Sequence, residues 1–170
     1  LTEKDKLAIK IGKKYKINNY CLSFTNTIED IIKFKKIVPK SRTIFKLENK
    51  KSIKNLKGLF KYANDFLIDR GDLSKEIRIE NVPIIQRKVL KLANKYKYKK
   101  IAIATNFLES MIEKPFPTRA EVNDIYNALE MNASGLVLAA ETAIGKYPKE
   151  CLILLNNIFK VYKINKKKFS

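Results

Sequence analysis

Thr43-Ile44-Phe45-Lys46-Leu47-Glu48 and, further along, Phe66-Leu67-Ile68-Asp69-Arg70 are the stretches that decide the fold. Each is short, rich in β-branched and aromatic residues, and ends on charged side chains, which is the make-up of a buried strand. Tyr20-Cys21-Leu22-Ser23-Phe24, Ile101-Ala102-Ile103-Ala104-Thr105 and Leu136-Val137-Leu138-Ala139 repeat the pattern. Helical signals lie between these runs. Thr27 followed by Asp30 makes a capping box, Ile28, Ile31 and Ile32 form one apolar face, and Lys35-Lys36 close the last turn. Pro83 with Ile85, Val89 and Leu92 predicts a second helix, and Thr118 through Glu121 opens a third that continues through Ile125 and Leu129. A fourth runs over Leu152, Leu155, Ile158, Phe159 and Tyr162, ahead of a basic tail over 163–170 expected to be loose. Strand and helix alternate at a spacing of roughly thirty residues, the βα unit of a parallel α/β sheet.

The remaining composition narrows the chemistry. The chain has 170 residues, enough for one domain with a core, expected over 1–162. No apolar run approaches the length of about eighteen needed for a membrane span, and no secretory leader is visible, so a cytoplasmic setting is expected. Two cysteines, Cys21 and Cys151, are too few for a disulfide framework. Histidine is absent, which removes the commonest general base and every His-ligated zinc site. The net charge of +19 invites a nucleic-acid reading. Against it, only Arg42, Arg70, Arg78, Arg87 and Arg119 are arginine, and the lysines are scattered along the chain among many Ile and Asn, which points to compositional bias.

Sites in parallel α/β folds lie at the carboxyl ends of the strands. There the second strand carries Lys46 and Glu48, the third Arg70 and Asp72, the fourth Thr105, and the fifth runs into Glu141. Residues two apart on an extended segment share a face, so Lys46 with Glu48, and Arg70 with Asp72, are each expected to converge. Two carboxylates on adjacent strands suit a hard divalent ion, and a lysine beside it can neutralise a developing phosphate or enolate charge. Taken singly, each residue reads more readily as an ion pair lining the sheet.

Their neighbours alter that reading. Lys46-Leu47-Glu48-Asn49, Arg70-Gly71-Asp72-Leu73, Ala104-Thr105 through Met111, Pro117-Thr118-Arg119-Ala120-Glu121 and Glu141-Thr142-Ala143-Ile144-Gly145 occur in an order that resembles the pyruvate kinase family. The likeness begins at Leu1-Thr2-Glu3-Lys4-Asp5, similar to the segment that returns to the barrel after the family's lid domain, and reaches about Ile158. It implies a partial (β/α)8 TIM barrel of about five parallel βα units. It also implies that Lys46 stabilises the transferred phosphoryl group and the enolate, that Glu48 and Asp72 ligate Mg2+ (or Mn2+), and that Thr105 lies near the enolate carbon. The Gly71 and Asp72 backbone would cradle the substrate carboxylate. Implied partners are phosphoenolpyruvate or pyruvate and ADP or ATP. Ser23-Phe24 and Glu141 match family positions of less defined role, while Glu109 and Arg119 fall near the family's subunit interface.

The chain departs from the family pattern at Ser74, Asn106-Phe107 and Ala139-Ala140, where Gly, Gln-Met and Ser-Gly are usual. No charged group of the motif is lost. A whole barrel needs about 250 residues, and the strands that carry the family's nucleotide and K+ sites are not among these five. Three arrangements follow: part of a longer kinase, which the missing initial Met favours; a chain that pairs its open edges with a copy or another barrel half; or a non-catalytic descendant that serves as a ligand-binding or structural subunit, alone or in a nucleic-acid-containing assembly. The intact Lys46, Glu48, Asp72 and Thr105 favour pyruvate kinase chemistry.

Overall fold

The computed structural model describes residues 1–169, with side-chain surroundings through Lys166. Its centre is one sheet of five strands, β1 (Asn19–Leu22), β2 (Arg42–Leu47), β3 (Asp65–Asp69), β4 (Lys100–Ala104) and β5 (Gly135–Val137). The strands lie in chain order and every pairing is parallel. All five expected strands are present, shifted by a residue or two at their ends. Strands joined to their sequence neighbours through outer helices are five of the eight units of a (β/α)8 barrel. The outer edges of β1 and β5 have no partner strand among the described residues.

Alternation along the strands sorts side chains into two environments. Phe45 and Leu47 of β2, Phe66 and Ile68 of β3, and Ile101 and Ile103 of β4 point to the helices and are almost fully buried in one apolar cluster. Phe45 and Phe66 stack there with Phe34 and Phe60 at centroid distances of 4.9–6.1 Å. Lys46, Leu67 and Asp69 take the alternate positions, toward the inside of the curved sheet. Lys46 is in register with Leu67, and Asp69 with Ala104.

The helices follow the expected signals and add several. Capping boxes begin α1 (Glu3–Lys14) at Thr2, α2 (Ile28–Ile37) at Thr27, and α3 (Lys50–Lys54) at Asn49. α4 (Leu56–Tyr62) continues after α3 and leads into β3. α5 (Arg70–Glu76) starts on the last residue of the run first read as extended. This corrects the expectation that Arg70 and Asp72 share a face: at 3.6 residues per turn they point about 200° apart. α6 (Val82–Ala93) carries Pro83 in its first turn, and α7 (Arg119–Glu130) opens on the Thr118 capping box. α8 (Ala140–Ala143) follows β5. The final helix, α9 (Pro148–Phe169), continues across residue 163 where the tail was expected to begin. Ser170, the end of that tail, lies outside the described residues.

Candidate active site

Lys46 leaves the inner face of β2 with its Nζ 2.8 Å from Glu48 Oε2 and 2.8 Å from Asp69 Oδ2. Burial works against the ammonium charge, but the contacts with Asp69 and Glu48 outweigh it and hold the pKa well above the ordinary lysine value. The lysine is therefore a fixed positive charge across the physiological range.

Glu48 follows the end of β2, and its side chain is fully enclosed. Its Oε1 accepts from the Phe24 N–H at 2.6 Å, beyond the end of β1, where Phe24 takes a left-handed φ of 51°. Its Oε2 is buried and receives no directed hydrogen bond, so the 2.8 Å approach of Lys46 is a charge contact. Asp72 is anchored by Lys75, whose ammonium lies 2.7 Å from Oδ1 and keeps the carboxyl below its usual pKa. One oxygen from each of Glu48, Asp69 and Asp72 lies within 4.8 Å of the other two. Oxygen-only donors at that spacing fit a hard divalent cation, and the buried Glu48 Oε2, which faces the Lys46 ammonium, keeps a further lone pair for such an ion.

Thr105 stands at the end of β4 with φ of 76°, followed by Asn106 at 55°. A β-branched residue in that region is strained. Arg70 holds the turn. Its guanidinium donates to Thr105 O at 2.5 and 3.1 Å and to Asn106 O at 3.1 Å, pairs with Asp124 at 2.5 Å, and stacks 4.1 Å over the Phe107 ring. The strain delivers Thr105 Oγ1 to the start of α5, where it accepts from the Gly71 N–H at 2.9 Å. Asp69 Oδ1 accepts the Asp72 N–H at 3.3 Å. The two amides expected to cradle a carboxylate are thus engaged by Thr105 and Asp69, and an arriving anion must exchange with those bonds. A Cβ at position 71 would sit in ordinary contact, 3.4 Å from Thr105 Oγ1 and 3.5 Å from Asp69 Oδ1, on the side where those groups meet the α5 amides.

Lys46, Glu48, Gly71, Asp72 and Thr105, all picked out from sequence, therefore meet at one end of the sheet. Arg70 does not converge with Asp72 and serves the Thr105 turn instead. Glu141 also differs in kind: it is buried and accepts from the Phe107, Leu108 and Ala139 N–H groups, tying the loop after β4 to β5. Glu109 accepts from the Asn106 side chain at 2.9 Å. The residue missed from sequence is Asp69. It ends the third strand and alternates with Leu67, a signal overshadowed by the charged motif beginning at Arg70. A groove of about 1130 Å3 lined by α1, β1 and α2 touches none of Lys46, Glu48, Asp69 or Asp72. Those four side chains gather instead at the carboxyl ends of β2 and β3.

A parallel β/α sheet that gathers three carboxylates and a charged lysine at the carboxyl ends of its strands defines part of a (β/α) barrel with a candidate site where such barrels carry theirs. Comparison with known proteins makes the class specific. The family model described as pyruvate kinase, barrel domain, matches residues 1–152, and the chain belongs to the pyruvate kinase family. It is 43% identical over 164 residues to a protein named pyruvate kinase from Thermotoga maritima, covering 94% of this chain and 35% of that one. It is 40% identical over 165 residues to one from Methanocaldococcus jannaschii, covering 95% and 37%. A Borreliella burgdorferi pyruvate kinase is 38% identical over 165 residues, covering 94% and 34%. The chain thus spans about a third of the length of these relatives.

Proposed function

We propose that this chain carries the phosphoenolpyruvate and metal half of a pyruvate kinase active site. The observation that carries the reading is the meeting of Lys46, Glu48, Asp72 and Thr105 at one end of the sheet, in a chain of that family. Glu48 and Asp72 would hold Mg2+ or Mn2+, which when bound supplies charge neutralisation to phosphate and enolate oxygens. Lys46, kept charged, stabilises the phosphoryl group as its bond to the enolate oxygen breaks and a bond to the terminal oxygen of ADP forms. Gly71 and Asp72 offer N–H groups to the substrate carboxylate once Thr105 and Asp69 release them. Thr105, with its hydroxyl freed, orients the water that delivers a proton to the enolate carbon. Catalysis of this kind is positioning and electrostatics.

The nucleotide and the family's K+ site belong to strands beyond these five. The bare edges of β1 and β5 support a partner for the sheet, either a further barrel half or a second copy. No described helix is long and apolar enough to cross a membrane, and Cys21 and Cys151 are free thiols suited to a reducing cytosol.

Calorimetric titration of the 170-residue chain with oxalate, a stand-in for enolpyruvate, tests the reading. Binding is expected only with Mg2+ present and is expected to vanish in Asp72→Ala. Metal-independent binding, or an Asp72→Ala variant equal to the parent, would remove the site from this location.

A further inference from the structure

Three groups compete for few partners at the end of β2. If Glu48 Oε2 turns to a cation, Lys46 loses one of its two anionic contacts. Its other contact is Asp69 Oδ2, at 2.8 Å, on a side chain that is almost buried. The second oxygen of the same carboxylate, Oδ1, caps the first turn of α5 at the Asp72 N–H. One side chain therefore touches both the lysine and the segment that presents Gly71 and Asp72. We propose that Asp69 is the positioning residue for Lys46: it holds the ammonium over the anion site while Glu48 and Asp72 serve the divalent cation, and it ties that ammonium to the start of α5.

The alternative assignment, that Asp69 is a third ligand of the cation, makes a different prediction. A ligand would contribute to metal binding with no anion present, whereas a positioning residue contributes when the anion meets Lys46. The inference rests on the site reading above and deepens it.

The test uses the full chain, with Asp69→Asn, Lys46→Met and the double variant compared with the parent. Asparagine keeps an oxygen for the Asp72 N–H, so the helix cap survives, and unchanged melting checks this. Oxalate affinity with saturating Mg2+ is measured by calorimetry, and Mn2+ affinity without oxalate by electron paramagnetic resonance. Asp69→Asn is expected to weaken oxalate about tenfold, to leave Mn2+ affinity within about twofold, and to add no loss on top of Lys46→Met. Additive losses, unchanged oxalate affinity, or a fall in Mn2+ affinity matching that of Glu48→Gln would each overturn the proposal. A parent chain that binds no oxalate overturns the site reading together with it, whereas a parent that binds while Asp69→Asn behaves identically overturns this inference alone.

Discussion

At the scale of single residues, the candidate site is built on charge contacts of Lys46 with Glu48 and Asp69. Lys46 and Glu48 flank one residue at a strand end, so their convergence follows from the pleat alone. Arg70 shows the limit of that argument. Spacing paired it with Asp72, but the backbone becomes helical at Arg70, and the side chain instead holds the strained Thr105-Asn106 turn and stacks on Phe107. Arg70→Ala removes donors to two carbonyls and leaves Asp124 unpaired, so it should destabilise the fold by about 2 kcal/mol. It should also weaken Mg2+-dependent oxalate binding, because Thr105 Oγ1 loses its placement. Arg70→Lys keeps the charge but not the planar fork, and should recover only part of either loss. Urea unfolding together with oxalate titration checks both; a variant as stable as the parent would show that the turn is held elsewhere.

At the scale of elements, strands and cap-bearing helices were readable because each has a local cause: β-branched runs, or a Thr followed by an acid three residues on. Of the helices that went unread, α3, α4, α5 and α8 have seven residues or fewer, too few for a periodic apolar face to show, whereas α1 carries at Thr2 and Asp5 the same local signal that marked α2. The α7 capping box shows a local signal put to wider use. Glu121 accepts from the Thr118 N–H at 2.7 Å and also from the Ser110 N–H and Oγ at 2.7 and 2.6 Å, fastening the 3-10 turn at Glu109–Ile112 to the helix start. Burial alone would raise its pKa, but the bonds from Ser110 and Thr118 prevail and lower it below 4.5. A lowered folded-state pKa gives stability that is complete above the unfolded value and is lost as pH falls through the folded one. Melting temperature should therefore drop as the pH goes below about 4.5. Glu121→Gln should flatten that part of the acid limb and lower stability at neutral pH by about 1 kcal/mol. An acid limb of unchanged slope would assign the titration to other carboxylates.

At the scale of the whole molecule, charge and sheet closure dominate. With +19 formal charges, self-repulsion opposes the folded state and is screened by salt. Raising NaCl from about 20 mM to about 300 mM should increase the melting temperature by several degrees; a decrease would mean that favourable ion pairs such as Arg42–Asp65 outweigh the repulsion. The parallel α/β architecture, the family and the residue types meeting at the strand ends were readable in the amino-acid order, because strand pattern, helix caps and ordered charged motifs are local properties of the chain. That Asp69 shares Lys46 with Glu48, that Arg70 serves Thr105, and that the Gly71 and Asp72 amides are already engaged emerges from the folded arrangement alone. Those facts depend on strand register and on where the backbone changes from strand to helix, which arise from contacts between residues far apart in sequence.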